Sequence, residues 1–457
     1  MNKNMQFYHA LDIDPRRCIG CSHCLHTCPT EAIRIRNSRA IILENRCVDC
    51  GKCYSVCPTK AIYIKQDDFL NIRNYAHSVV LIPSIFLGQF PDDIRVSRIY
   101  AALHELGFHH VYEVDSATSL YTEAKRLYAE KHPEKDIRPL ISAFCPAIVR
   151  LIQLKYPSLV DNIIPIRGPL DLSAHYIRKV LTRQGVDPSE IGLFYVTPCA
   201  AKIAAIKNPE GETKSIIDGV LNMDSLFNRV FRLIKEQGRD YQYPPLKTQR
   251  LSSDAILSTL TNGERRLCSS WRSYAIDGIK NVQNFLDRLE NGSVEGIDFL
   301  ELRSCDQSCA GAILACDNRF LCGERMYARA NKAIAREKEG NIAHDREMEQ
   351  ERDYILSIAE TEPIQSRSMM ILDPDITTAL EKLERINMLS DKLPQVDCGL
   401  CGAPSCYAHA SDVVCEGCQV SDCIFVQRYR EERGEMTIQE GNQRLKEIWG
   451  DDRLGNL

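Results

Sequence analysis

The chain contains no unbroken apolar run of about 18 residues, so a membrane-spanning helix is excluded. Its first residues, Met1 to Phe7, lack the apolar core of a secretion signal, and an exported protein is not expected. Neither Gly-x-Gly-x-x-Gly nor Gly-x-x-x-x-Gly-Lys-Ser/Thr occurs, so the usual phosphate cradles of nucleotide binding are missing. Charge of one sign is also scarce. The net charge is −5 from 57 Lys and Arg against 62 Asp and Glu, too little for a nucleic-acid or anionic-membrane footprint. Cysteine, by contrast, is abundant, with 21 in 457 residues. In a chain without an export signal these read as reduced thiolates bound to metal rather than disulfides. The expected compartment is an anaerobic or reducing bacterial cytoplasm.

Eight of the cysteines form a repeat. Cys18, Cys21, Cys24 and Cys28-Pro29 are answered by Cys47, Cys50, Cys53 and Cys57-Pro58, each 29 residues after its mate. Pro29-Thr30-Glu31-Ala32-Ile33 likewise matches Pro58-Thr59-Lys60-Ala61-Ile62. This is the spacing of bacterial two-cluster ferredoxins. Three thiolates on one tight loop reach three irons of a cubane, and the fourth iron takes the Cys-Pro thiolate of the other repeat. Cys18, Cys21, Cys24 and Cys57 are therefore expected to hold one 4Fe–4S cluster, and Cys47, Cys50, Cys53 and Cys28 the second. Zinc sites use two pairs of ligands and do not account for the interlocked repeat. His23 and His26, inside the first loop, read as surface residues.

A different composition begins near Ser78. Val79–Pro83, Val111–Val114, Leu140–Phe144 and Ile191–Val196 read as strands, and Val96–Leu106 and Ser119–Glu130 as helices. Their alternation predicts an α/β layer with a largely parallel sheet, whose reactive groups gather at the carboxyl ends of strands. Cys145 and Cys199 fall there. The Tyr121–Tyr128 helix face reads as packing. From Ala328 to Ile355 the chain is dense in charge, which suggests a solvated connecting helix. Asp373-Pro374-Asp375 caps a further helix, and the tail from Arg428 reads as an exposed helix that frays.

Four central cysteines come from three separate segments: Phe144-Cys145-Pro146, Thr197-Pro198-Cys199-Ala200-Ala201-Lys202, and Leu302-Arg303-Ser304-Cys305-Asp306-Gln307-Ser308-Cys309-Ala310-Gly311. Four such thiolates suit one cubane. Buried free cysteine is the alternative, and it is the reading for Cys268, Cys316 and Cys322. Together the three segments resemble the catalytic domain of the FeFe-hydrogenases over roughly residues 1–340. The resemblance implies that Cys145, Cys199, Cys305 and Cys309 hold the 4Fe–4S part of the H-cluster. Cys309 would bridge to a diiron subcluster carrying CO, cyanide and a dithiolate, and Lys202 would hydrogen-bond a cyanide. Cys309 and Lys202 are thus the catalytic candidates. The sequence departs from the family where Phe144 replaces a proton-relaying cysteine and Ala205 a glutamate. Thr197 and Arg303 each replace a methionine, and Ser308 replaces a glycine. These departures are similar to those of the family's sensory members.

A last set, Asp397-Cys398-Gly399-Leu400-Cys401-Gly402-Ala403-Pro404-Ser405-Cys406 with Cys423, resembles a small C-terminal 4Fe–4S module. Its ligands would be Cys398, Cys401, Cys406 and Cys423, leaving Cys415 and Cys418 as spare thiols. Sensory members often continue into a PAS domain, whereas this chain reaches Leu457, so output through a separate protein is expected. The expected fold class is α+β / α/β. A two-cluster ferredoxin-like domain would span 1–72, an α/β H-cluster domain 73–340, a charged linker helix 341–372, the helical iron–sulfur module 373–430 and an exposed tail 431–457. The expected reaction is H2 ⇌ 2H+ + 2e−, run slowly for sensing and served by four 4Fe–4S clusters. A non-catalytic iron–sulfur protein of the same fold is the rival reading. Expected partners are H2 and protons, a redox or signalling protein, the diiron maturation machinery and, as an open option, a second copy of the chain.

Overall fold

The computed structural model describes residues 8–133, 137–238, 240–244, 246, 248–339, 345–369 and 372–451. The expectations for Met1–Phe7, for the first residues of the linker and for the end of the tail lie outside these. The chain divides into two compact units, one of residues 1–64 with 367–457 and one of residues 65–366.

In the first unit the sequence repeat is also a structural repeat. Strands β1 (Leu11–Ile13), β2 (Ile33–Arg36), β3 (Arg39–Ile42) and β4 (Ile62–Ile64) make two antiparallel pairs, β1 with β4 and β2 with β3. The backbone enters the left-handed region at Gly20 and Asp49, and again at Glu31 and Lys60. Both pairs occupy equivalent places in the repeats, so each cysteine loop turns the same way.

The C-terminal segment packs onto the first repeat within this unit. Its helices are Ile376–Lys392, Cys406–Cys415, Ile424–Glu432 and Ile438–Trp449. Asp375 caps the first of them through the Thr378 N–H. Ile35 N–H donates to the Gly402 carbonyl at 2.8 Å, and Ser38 N–H to that of Ile448 at 2.9 Å. Gly402 has φ +75°, and a Cβ there would stand 2.3 Å from the Ile35 carbonyl oxygen, so only glycine permits this approach. Below it, Asp412 is clasped by both arms of Arg34, at 2.6 and 2.9 Å, and by Arg36 at 2.6 Å. The tail departs from the fraying expected of it: Ile448 is buried, and the Trp449 indole N–H donates to the Leu400 carbonyl at 2.8 Å.

The second unit holds two parallel sheets. In the first, β5 (His77–Ile82), β6 (His110–Glu113), β8 (Ile191–Thr197) and β9 (Gly219–Asn222) run in the order β6-β5-β8-β9. In the second, β7 (Leu140–Ile141), β10 (Ser273–Asp277) and β11 (Phe299–Arg303) run in the order β10-β11-β7. Every strand pairing in both sheets is parallel. Such sheets are covered on both faces and are read from sequence as continuous apolar runs, and β8 is buried at all seven positions. The stretch read as a solvated connector is anchored instead: Met348 and Ile355 are fully buried in a core with Tyr121, Phe144 and Phe299. Ala330 and Ala333 are buried as well, so a few apolar side chains anchor a charged stretch, and periodicity did not single them out.

Candidate metal centres

Backbone turns aim the thiols of the first unit inward. The Ala32 and Ala61 N–H groups each donate to a Cys-Pro sulfur, Cys28 and Cys57, at 3.2 Å. The Asp49 N–H donates to Cys47 Sγ and the Ala40 N–H to Cys18 Sγ, both at 3.4 Å. Burial, and then the neighbouring thiols of Cys21, Cys18 and Cys57, push the Cys24 thiol up to about 12. Burial and Cys28 do the same to Cys50, also up to about 12. Each Cys-Pro sulfur thus stands with the loop of the other repeat. Thiols crowded so that each opposes its neighbour's ionisation are poor free thiolates, and a cationic iron–sulfur core relieves that opposition. The donor sets fit such clusters.

The C-terminal quartet has the same character. Burial, with Cys423 and Cys398 nearby, pushes Cys401 up to about 12. Burial and the neighbouring Cys398 and Cys406 raise Cys423 as well. These four line one cavity of about 300 Å³ together with His409, which sequence reasoning did not single out. His409 sits one turn after Cys406 on the same helix, a spacing too common to signal a site. Cys415 is exposed, and Cys418 Sγ lies 3.3 Å from Arg36 Nη2.

In the second unit topology does the gathering. Cys145 follows β7, Cys199 follows β8 and Cys305 follows β11, each at the carboxyl end of a parallel strand. Burial raises Cys305, with Cys199, Cys145 and Cys309 adding to the rise. Burial likewise pushes Cys199 up to about 12, against the pull of Lys202. Ser304 Oγ lies 3.7 Å from the sulfurs of both Cys145 and Cys305. The Cys305–Gly311 loop doubles back so closely that a Cβ at Gly311 would stand 1.9 Å from the Asp306 carbonyl oxygen. Within it Ser308 adopts φ +51°, where the resemblance expects glycine.

Beside Cys309 lies a cavity of about 280 Å³ walled by Asp115, Phe144, Tyr195, Thr259 and Lys202. Thr259 Oγ1 is buried and has no hydrogen-bond partner among the described residues. A buried, unpaired hydroxyl is costly, and with the Lys202 ammonium it suits a group bearing acceptor atoms. The residues present therefore fit a diiron unit carrying cyanide and CO.

Two departures that the sequence displays separately meet in space. The Arg303 guanidinium carbon lies 3.6 Å from the Phe144 ring centroid, and Lys202 Nζ lies 4.5 Å from it. Arg303 in turn belongs to a buried network. It donates to Glu264 at 3.0 Å and pairs with Glu301 at 3.4 Å, while Lys125 Nζ meets Glu264 at 2.8 Å. Burial alone would push Glu264 up, but Lys125 and Arg303 bring it down to about 2. Lys125 and Glu264 are far apart in the chain, and no motif announces their pairing.

Three family models match the chain. The C-terminal domain of the iron-only hydrogenase large subunit matches residues 77–265, a 4Fe-4S dicluster domain residues 11–64, and an Fe-S cluster family residues 393–425. The first covers Cys145, Cys199 and Lys202 but stops before Cys305 and Cys309. Iron hydrogenase 1 of Clostridium pasteurianum is 23% identical over 228 residues, which is 49% of this chain and 37% of that protein. The periplasmic Fe hydrogenase large subunit of Nitratidesulfovibrio vulgaris is 26% identical over 257 residues, 52% of this chain and 60% of that protein. The chain thus spans less than two thirds of either relative. A solved FeFe-hydrogenase variant from Chlamydomonas reinhardtii superposes with a TM-score of 0.45 at 13% identity, covering 64% of this chain and 94% of that one. That score is too low to bear on function. Among the described residues no helix is long and apolar enough to cross a membrane. Its central segment thus matches the C-terminal domain of the iron-only hydrogenase large subunit, flanked by a dicluster domain and a further iron–sulfur segment.

Proposed function

We propose that the chain catalyses H2 ⇌ 2H+ + 2e− slowly, as a cytoplasmic hydrogen sensor that hands electrons to a separate redox or signalling protein. The observation that carries this reading is the meeting of Cys145, Cys199, Cys305 and Cys309 beside a small cavity holding Lys202 and the unpaired Thr259 hydroxyl. In this reading those four thiolates hold a cubane, and Cys309 also bridges to the diiron unit. That unit, when bound, supplies the metal at which the H–H bond is made and broken. The chain's own part is to hold and exclude. Lys202 presents an ammonium to an anionic ligand. Tyr195, Pro198 and Phe144 wall the cavity against water. Phe144 cannot carry a proton, and a positioned acid or base is worth about 10²–10⁴ in rate, which supports slow turnover.

Electrons would leave through the two N-terminal cubanes, with ligands Cys18, Cys21, Cys24, Cys57 and Cys47, Cys50, Cys53, Cys28. A fourth cubane, on Cys398, Cys401, Cys406 and Cys423, would sit in the same unit, which suits a relay branch facing a partner. Phe144 also favours a second reading, in which the chain carries cubanes only and transfers electrons without hydrogen chemistry. Infrared spectra of protein co-produced with diiron maturation machinery separate the two. Bands of CO and cyanide, together with measurable dye-coupled hydrogen turnover, are expected. Their absence from protein with full cubane content would overturn the catalytic reading.

A further inference from the structure

Three cavities of the second unit share walls. The small cavity beside Cys309 has Phe144, Pro169, Leu170 and Lys202 in common with a larger one of about 980 Å³. The larger one shares Arg167, Glu212 and Ser215 with a third, which also carries His175 and Asp218. Phe144 and Ala205 both line the larger cavity. At 144 the resemblance implies a proton-relaying thiol, so that carrier is missing from this chamber.

A carboxyl nevertheless faces that chamber. Asp171, in the first turn of the helix Pro169–Arg183, lines it and is half-buried. The charged groups around it come from three directions: Lys202 from the helix Ala200–Lys207, Arg167 from the segment before its own helix, and Glu212 from the loop preceding β9. Arg167 Nε and Glu212 Oε1 pair at 2.7 Å. Burial and the Glu212 charge push Asp171 up to about 6, against the pull of Lys202 and Arg167. Near neutral pH such a group is present in both protonated and ionised forms, as a relay requires. Asp115, on the wall of the small cavity, is also pushed up to about 6 by burial, but it accepts from the Ser84 N–H at 2.6 Å and does not line the larger chamber.

We infer that Asp171 is the proton-exchanging carboxyl of this chamber, carrying protons between the Lys202–Phe144 wall and the Arg167–Glu212 pair. It stands in for the thiol absent at 144. The inference rests on the hydrogenase reading above. In each transfer an Asp171 O–H bond breaks as its proton passes to water in the chamber on one side. A new O–H bond forms with a proton delivered from the other side. No electron moves, and the residue returns to its starting state. Lys202, Arg167, Glu212 and Asp171 offer polar partners to water in the chamber.

The test has two arms. The first uses protein loaded with cubanes but produced without maturation machinery, followed by infrared spectroscopy from about pH 4 to about pH 8, a range that brackets a raised carboxyl. Protonated-carboxyl intensity with a midpoint near 6 is expected from Asp171 and from Asp115; the Asp171 share, shifting promptly in D2O, is expected to be lost in Asp171→Asn and restored in Asp171→Glu. No band lost in Asp171→Asn, or a band that does not shift in D2O, overturns the inference. The second arm uses matured protein. Asp171→Asn is expected to lower hydrogen turnover by about 10²-fold with CO and cyanide bands unchanged, and Asp171→Glu to recover most of the rate. Turnover in Asp171→Asn equal to that of the parent, with intact bands, overturns it. If the parent itself shows no such bands, the hydrogenase reading falls alone, and the titration arm still decides the role of Asp171.

Discussion

The two units gather their thiols by opposite means. In the first, three cysteines of each ferredoxin-type quartet lie within seven residues, and a 29-residue repeat supplies the fourth. In the second, Cys145, Cys199 and Cys305 are far apart in the chain and meet only because strands of two separate parallel sheets, β7 and β11 in one and β8 in the other, carry them at their carboxyl ends. The first arrangement is written in local spacing and survives as a pattern in the sequence. The second is written in topology, so the fold must form before the site exists. The difference teaches where each kind of site is vulnerable: the first to loss of a ligand, the second to loss of a ligand or of the buried network behind it.

The sharpest contrast comes from removing one thiol from each unit. Cys309→Ala is expected to abolish the infrared bands of CO and cyanide and all hydrogen turnover. Cys398→Ala is expected to leave both in place when reduced dye delivers electrons directly. Persistent bands in Cys309→Ala would refute the bridging assignment, and loss of dye-coupled turnover in folded Cys398→Ala would refute the independence of the two units.

Next in size are the buried ion pairs. Glu264→Ala strands Lys125 and Arg303 in the core, and Asp412→Ala strands Arg34; each is expected to cost about 3–5 kcal/mol, read by urea unfolding of the respective unit. Glu264 has its folded pKa depressed from the usual 4.5 to about 2. Its stabilising contribution is therefore present above pH 4.5 and lost as pH falls toward 2. Glu264→Gln is expected to flatten that acid limb while retaining more stability than Glu264→Ala at neutral pH.

Both units also show how far the sequence could be read. The cysteine quartets, the alternating strands and the cap at Asp375 are legible because each depends on residues close in the chain. The meeting of Arg303 with Phe144 is not, since it depends on β11 and the segment after β7 being neighbours. Nor is the seating of Trp449 on Leu400, because a polar amphipathic helix looks the same whether it is docked or free. Asp171 illustrates the point most plainly: the loss at 144 is visible in a motif, but the carboxyl facing the same chamber belongs to no motif.

Phe144→Cys tests the second unit at its most altered position. It exchanges a ring held between two cations for a small thiol, and about 2–4 kcal/mol of stability should be lost, as for other large-to-small core changes. A thermal or urea midpoint unchanged from the parent would show that the ring is not packed as described. The smallest expected effect is at Ser308, whose left-handed backbone favours glycine. Ser308→Gly should stabilise by no more than about 1 kcal/mol, because relief of strain is offset by the entropy of glycine and by loss of the hydroxyl contact to Thr261. A loss of several times that amount would mean that the hydroxyl contact outweighs the strain.

Iron analysis of the reconstituted chain, produced without maturation machinery, tests most directly whether both kinds of quartet hold cubanes. About sixteen iron atoms per chain are expected, four for each cubane on the spaced and the strand-end quartets alike. A value of about twelve that does not fall further in Cys305→Ala would show the strand-end quartet to be empty and would contradict the account.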